Sequence, residues 1–330
     1  MGGLQPANFR GGDVSVRVPT ERASYFAWAF VAYLIAVIAF GAWVRITGSG
    51  AGCGQHWPTC NGEIVPVAPS METMIEYTHR LTSGLCGVFG LGLVFVAWRR
   101  FDRRVLWGAI ATLVFIGIEG AIGAGLVLKE LVADDRSVAR AVVIALHLTN
   151  TLALVGTASL TAVCMRERRP FSWAGLARWR GAVGLALGLM VCTAMAGAVT
   201  ALGDTLFPVA PTAGGGLWAH VIEDLDPASH FLVRMRVIHP LLAVLTAAVL
   251  LWLGKEIHEE TVDGEGRWPE AAKASRWLIA LVCVEVLIGF LNVALAAPGG
   301  VQLLHLVVAQ ATWIALVLMV FFRGLDLDAR

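Results

Sequence analysis

Eight apolar runs separated by polar segments dominate the pattern along the chain. Each run is long enough for an α-helix that crosses the hydrocarbon core of a membrane, which needs roughly 20 residues. Asp, Glu, Lys and Arg are nearly absent from the runs and collect between them. The pattern therefore predicts eight transmembrane helices, at about 24–44, 76–98, 105–127, 141–164, 181–203, 233–254, 277–297 and 303–322.

The first run follows a polar arm of about 22 residues and lacks a clear small-x-small cleavage site, so we expect a retained helix rather than a signal peptide.

Composition supports the membrane interpretation. Of the 330 residues, 57% are hydrophobic and 15% are charged, and the mean hydropathy is +0.72. A soluble chain of this length cannot bury so much apolar side chain, which excludes a cytosolic enzyme. The net charge of +1 gives no reason to expect nucleic acid as a partner.

The basic residues are distributed unevenly between the two sides of the membrane. Of the 25 Lys and Arg residues, 18 fall in the N-terminal arm, the loops after the second, fourth and sixth runs, and the C-terminal tail. The positive-inside rule makes this side cytoplasmic, with both termini inside and the protein in the cell (inner) membrane. The segments at about 45–75, 128–140, 204–232 and 298–302 are then expected at the outer face.

The two halves of the chain resemble each other. Glu119-x-x-Ile-Gly recurs at Glu285, 166 residues later, and Gly41-Ala matches Gly197-Ala. Such matches, in order and at similar offsets, indicate a duplicated four-helix unit in parallel orientation. We therefore expect two pseudo-symmetric four-helix bundles, and the expected division is an arm at 1–23, bundles at 24–165 and 181–323, a cytoplasmic linker at 166–180 and a tail at 324–330.

Four of the eight histidines fall inside apolar runs, two in each half, and each is expected three to seven residues past the outer start of its helix. These residues are His79, His147, His239 and His305. The other four are expected in loops, at His56, His220, His230 and His258. A single histidine in a membrane helix usually hydrogen-bonds to a neighbouring helix. Four at matched depth are better explained by function, because ionisable groups in membranes are unfavourable.

Two histidines on facing helices of a four-helix bundle can supply both axial ligands of a haem. The two pairs therefore predict two haem sites towards the outer face. Zinc fits less well, because the pairs lack a third Cys or carboxylate ligand at matching depth in both halves.

The two predicted sites differ in charge. Glu76 lies three residues before the first of the span histidines, where the second half has Arg236. Together with Arg234, that arginine could pair with haem propionates. Glu76 is either a proton acceptor or cation stabiliser beside a haem edge, or an interfacial carboxylate paired with Arg80 or Arg45. The sequence leaves both interpretations open.

Cys53 and Cys60 lie in the first outer segment, in an oxidising compartment where a disulfide is plausible. A bond between them would close a small loop and so add little stability by chain entropy. Thiols in such a loop are also candidates for redox cycling. The segment 204–232 contains no cysteine, so the second half has no matching pair.

Several of these motifs resemble the haem A synthase family. They are Gly41-Ala-Trp-Val-Arg-Ile-Thr-Gly-Ser-Gly50, Cys53…Trp57-Pro58-Thr59-Cys60, Glu76-Tyr-Thr-His79-Arg80, Leu146-His147-Leu148, Arg234-Met-Arg-Val-Ile-His239-Pro240 and Leu304-His305-Leu306. The resemblance covers all eight runs. It implies an eight-helix oxidoreductase that converts the C8 methyl of haem O to a formyl group through successive hydroxylations, giving haem A for aa3-type terminal oxidases.

The resemblance also implies a role for each half. The N-terminal half, with His79 and His147, takes haem O as substrate. The C-terminal half, with His239 and His305, binds the iron of a haem b cofactor. Glu76 matches the essential carboxylate of the family, which is expected to stabilise a cationic intermediate or to handle its proton. Cys53 and Cys60 match the family's outer-loop pair.

Arginines near the outer interface are candidate partners of the haem propionates, namely Arg45, Arg80, Arg140, Arg234 and Arg236. Expected partners are haem O synthase, which is a prenyltransferase, terminal oxidase assembly factors and the lipid bilayer; a homo-oligomer is compatible with the sequence. The main alternative is a di-haem electron-transfer protein similar to membrane cytochromes b, although those usually place haems on both sides of the membrane. A haem transporter or chaperone without chemistry is a further alternative.

Overall fold

The computed structural model describes residues 17–208, 222, 224–263 and 268–325. Its described residues form eight long α-helices, a short 3₁₀ turn at Ser49–Ala51, and no β-strand. The helices are α1 (Arg17–Ile46), α2 (Met71–Arg100), α3 (Arg103–Leu128), α4 (Val138–Cys164), α5 (Arg180–Leu206), α6 (Phe231–Asp263), α7 (Pro269–Ala294) and α8 (Gly299–Arg323). All eight are long and apolar enough to span a membrane. The prediction of an all-α, eight-span membrane protein is confirmed.

Three helices, α2, α3 and α4, begin before the predicted apolar runs because their first turns are polar and capped. Ser70 accepts the backbone N–H of Thr73 at 3.2 Å at the start of α2, and Asp102 accepts that of Val105 at 3.1 Å at the start of α3. Ser137 does the same for α4. Such caps satisfy backbone donors that the helix itself leaves free. Hydropathy therefore locates only the apolar middle of each helix.

One histidine prediction is wrong for the same reason. His258 was expected in a loop, but it lies in α6, which continues in charged residues to Asp263. His56 and His230 lie in connections between helices, as expected, and His220 lies outside the described residues.

The helices pack in two groups of four. In the first, α1 contacts α2, α2 contacts α3, α3 contacts α4, and α4 contacts α1. The second group, α5 to α8, has the same ring of contacts. The main contacts between the groups are made by α1 and α4 with α5 and α8. The division into pseudo-symmetric domains and the cytoplasmic position of both termini stay predictions.

Each group has an apolar core of its own. Phe30, Leu34 and Leu93 are buried in the first group, and Leu250 and Leu278 in the second. Many large apolar side chains on the helices are exposed, as suits contact with lipid. Where the groups meet, the indole N–H of a tryptophan on α8 donates to a backbone carbonyl of α4 at 2.7 Å. This close contact fixes the two groups against each other.

Candidate functional site

The four span histidines lie near the starts of the even-numbered helices, between six and nine residues from the first helical residue. Three of them lie deeper than the predicted three to seven residues, because the helices begin earlier, and His305 lies six residues from the start of its helix. At 1.5 Å per residue this is about 9–13 Å along the axis. Because consecutive spans alternate in direction, all four imidazoles lie towards one end of the molecule.

In the second group, the rings of His239 on α6 and His305 on α8 face each other. Their centroids are 6.4 Å apart and the ring planes are nearly perpendicular, at 78°. A bond from a metal to an imidazole nitrogen is about 2 Å long, so two imidazoles on opposite sides of one iron have centroids roughly 6 Å apart. The observed spacing therefore fits axial ligation of one haem iron.

In the first group, His79 lies on α2 and His147 on α4. Phe40 packs edge-on against the His79 ring, with centroids 5.6 Å apart. Within the described part of the chain, the buried Nδ1 atoms of His79 and His239 have no hydrogen-bond partner. Such orphaned nitrogens suit a site whose bound group is a metalloporphyrin, since an imidazole that ligates a metal needs one ring nitrogen free.

Two repeated glycines give the rings their space. A Cβ at Gly41 would lie 3.1 Å from Cε1 of His79, and one at Gly197 would lie 2.9 Å from Cε1 of His239. Any larger residue would push the imidazole aside. The Gly-Ala match between the halves therefore has a steric reason.

Glu76 lies less than one turn before His79 and is only 4% exposed. Its Oε2 accepts the backbone N–H of Cys53 at 2.8 Å, and its Oε1 accepts Nε of Arg80 at 3.1 Å and a second N–H of the same guanidinium. The pairing with Arg80 that the sequence left open is therefore present. Arg45 is engaged elsewhere.

The outer loop above Glu76 is closed by a disulfide between Cys53 and Cys60, and both cysteines are fully buried. Thr73 on α2 donates its hydroxyl to the carbonyl of Gly52 at 2.7 Å. A Cβ at Gly52 would come within 2.5 Å of the α2 backbone, so only glycine permits this approach. The loop thus sits directly on the first turn of α2.

Arg80 holds the rest of this loop by donating to the carbonyls of His56 at 2.7 Å and Thr59 at 2.8 Å. One guanidinium therefore links the loop backbone to the Glu76 carboxylate. The arrangement fixes the position of the carboxylate near the His79 helix turn.

The other candidate propionate partners are placed differently. Arg45 crosses between the groups and donates to the carbonyl of Ala201 at 2.5 Å, to the hydroxyl of Thr205 and to Oε1 of Gln302 at 2.9 Å. Arg140 donates to two carbonyls of the segment before α4, at 2.6 and 2.8 Å.

Arg236 is paired with Asp204 at 2.7 Å and Asp224 at 3.4 Å, and it also donates to the carbonyl of Phe207. Arg234 is exposed, and its guanidinium makes no hydrogen bond or ion pair to any residue that the structure describes. It is therefore the candidate whose guanidinium is most available to a ligand.

Two acidic residues contact histidines of the pairs, although the sequence pattern indicated no role for them beyond the repeat. Nδ1 of His147 lies 2.5 Å from Oε2 of Glu119, and Nδ1 of His305 lies 3.2 Å from Oε1 of Glu285. A carboxylate in the middle of an apolar run was the signal that could have identified them. No cluster of three or more His, Cys, Asp or Glu side chains suited to a metal ion occurs among the described residues.

Comparison with known proteins identifies the family. The model of the COX15-CtaA family, described as "Cytochrome oxidase assembly protein", matches residues 24–317. A Thermus thermophilus protein named "Protoheme IX farnesyltransferase" is 42% identical over 305 residues, which are 91% of this chain and 48% of that protein. This chain therefore spans about half the length of that relative.

Shorter matches are to proteins named "Heme A synthase". The protein from Halalkalibacterium halodurans is 44% identical over 96 residues, covering 28% of this chain and 32% of that protein. The protein from Bacillus mycoides is 45% identical over 96 residues, with 28% and 31% covered. Since the family match reaches from the first predicted span into the last, the chain belongs to the COX15-CtaA family of cytochrome oxidase assembly proteins.

Proposed function

We propose that this protein is a haem A synthase, which oxidises the C8 methyl group of haem O to the formyl group of haem A for an aa3-type terminal oxidase. The observation that carries the proposal is a difference between two otherwise similar sites. Both halves present paired histidines, but only the first sets a buried carboxylate, Glu76, close before one of them. Family membership and the relatives named "Heme A synthase" support the same reaction.

In this proposal the second group holds a resident haem b, with His239 and His305 as its axial ligands. The 6.4 Å spacing of the two rings supports this role. Bound there, haem b supplies one-electron redox chemistry. Arg234 is the proposed propionate partner because its charge is free of partners among the described residues, and a guanidinium matches carboxylate geometry.

The first group is the proposed substrate half, where His79 and His147 bind haem O. Cys53 and Arg80 hold the Glu76 carboxylate in one orientation through donors to both of its oxygens. A fixed negative charge can stabilise positive charge that develops at the reacting methyl carbon, or accept the proton that leaves it. We assign these two roles to Glu76, while its donors position it.

We further propose that the sites lie towards the outer face of the cell (inner) membrane and that the substrate comes from an enzyme that farnesylates haem. The Thermus thermophilus relative that bears the name of such an enzyme supports the proposed source of the substrate. The electron-transfer alternative finds no support in the family match.

The test is conversion of haem O in cells that make haem O but no haem A. With this protein present, extracted haems should include haem A. Glu76→Gln should abolish haem A while haem b in the purified protein is retained. Glu72→Gln is the matched control, because that exposed carboxylate lies one turn earlier on the same helix. If the wild-type protein yields only haem O, the proposal fails; if Glu76→Gln makes as much haem A as wild type, the role of Glu76 fails.

A further inference from the structure

We propose that Glu119 and Glu285 are positioning residues that each hold one imidazole of a haem-ligating pair. Each pair would then contain one histidine backed by a carboxylate and one without such backing. The inference rests on the proposed function only for the identity of the bound group.

In the first group, Glu119 on α3 faces His147 on the neighbouring α4, with Oε2 and Nδ1 2.5 Å apart. Beyond the two arginines at its start, α3 carries no charged residue except Glu119. An isolated carboxylate in a membrane helix is unfavourable unless a partner satisfies it, so its place beside an imidazole indicates a function.

The second group repeats the arrangement. Glu285 on α7 faces His305 on α8, with Oε1 and Nδ1 3.2 Å apart, and it is the only charged residue of α7 after Arg276. Neither contact has the linear geometry of a formed hydrogen bond, but both lie within ion-pair distance. Two independent contacts at matched positions are better explained by a shared role than by chance packing.

The other member of each pair is surrounded differently. Among the residues that the structure describes, neither His79 nor His239 has a carboxylate within ion-pair distance, whereas His147 and His305 each have one. In each pair, therefore, the carboxylate contacts one histidine, which is His147 in the first group and His305 in the second. A carboxylate opposite Nδ1 leaves Nε2 as the nitrogen that faces the metal, fixes the ring orientation and makes the imidazole a stronger donor. A stronger axial donor favours oxidised iron and lowers the reduction potential.

Glu119 restrains the ring of His147 more tightly than Glu285 restrains the ring of His305. Thr151, one turn after His147, donates its hydroxyl to Oε1 of Glu119 at 2.7 Å. The corresponding residue of α8, 158 positions later, is Ala309, which has no hydroxyl to donate to Glu285. The shorter contact and the added hydroxyl both favour a more rigid imidazole at His147.

The test is a redox titration of haem b in the purified holoprotein, with Glu285→Gln compared with Glu119→Gln. Glu285→Gln removes the charge and keeps the shape, so the midpoint potential of haem b should rise while haem content is retained. Glu119→Gln is the matched control and should leave that potential unchanged. Equal potentials for wild type and Glu285→Gln, or equal shifts for the two variants, would overturn the proposal.

Loss of haem b provides a second readout. If Glu285→Gln loses haem b, Glu285→Asp should restore it because the charge returns, and Glu119→Gln should retain it. Loss in both glutamine variants, or failure of Glu285→Asp to restore binding, would contradict a positioning role. None of these measurements requires haem A production, so a failure of the proposed enzymatic function would remain distinguishable.

Discussion

Oε2 of Glu76 accepts the backbone N–H of Cys53 at 2.8 Å, so the proposed catalytic carboxylate is held directly by a residue of the disulfide. Arg80 completes the connection by binding both the carboxylate and the loop carbonyls. The position of the carboxylate therefore depends on the shape of the loop, and a change in the loop should affect the proposed substrate half more than the proposed haem b half.

The first prediction concerns the disulfide. Cys53→Ser and Cys60→Ser should each lower haem A output several-fold, because the loop no longer presents the Cys53 N–H in a fixed place. The haem b proposed for the other half should be retained. The readouts are the haem A to haem O ratio in extracts and the haem b spectrum. Cys192→Ser and Cys283→Ser, which remove exposed free thiols, are the controls; wild-type output from the Cys53 variant would refute the coupling.

The second prediction concerns the glycines beside the rings. Gly197→Ala should reduce haem b content, because its Cβ would displace the His239 ring. Gly41→Ala should leave haem b in place and reduce haem A output. Gly84→Ala and Gly188→Ala lie where an added Cβ meets nothing within 4 Å, and they should be neutral. Haem content per protein distinguishes these outcomes, and equal loss from both ring-facing variants would count against two separate sites.

A variant of Arg45 can distinguish two roles for this residue, joining the two helix groups or binding a haem propionate. Its guanidinium joins the helix groups through Thr205 and Gln302, so Arg45→Met should destabilise the haem-free protein by about 2–3 kcal/mol, as expected for a charged hydrogen-bond donor. The readout is the thermal unfolding midpoint in detergent. Haem loss from a variant whose haem-free form keeps the wild-type midpoint would instead assign Arg45 to a propionate.

The adjacent arginines of α6 should respond in opposite ways. Arg234→Ala should speed haem b dissociation several-fold without changing the stability of the haem-free protein. Arg236→Ala leaves Asp204 mostly buried and without its main partner, which costs about 3–5 kcal/mol for a buried pair. Dissociation kinetics and unfolding midpoints measure the two effects; the same response from both variants would contradict the distinction.

Residues that break the apolar pattern were predictable from the sequence. His79, His147, His239 and His305 are polar groups in long apolar runs, so the sequence identified the helices that carry them, and the structure places the rings of His239 and His305 close together. The predicted depth of the four histidines was less accurate, because each of the four helices begins before its predicted apolar run.

Contacts that depend on backbone position or on the register between helices were not predictable. The Cys53 N–H is one of many loop donors, and only the folded loop brings it to Glu76. Glu119 and Glu285 were visible as a repeat, but their contacts with His147 and His305 depend on how α3 meets α4 and how α7 meets α8. For Arg45 the sequence indicated only the charge, since its partners lie more than 150 residues away.

The central claim is that one half converts a haem and the other holds one. The most direct measurement is the haem composition of purified His147→Ala and His305→Ala proteins from cells that supply haem O. We expect His305→Ala to lack haem b, and His147→Ala to retain haem b while neither haem O nor haem A is bound. Equal loss of haem b from both variants, or haem A in the His147→Ala protein at the wild-type level, would contradict the claim.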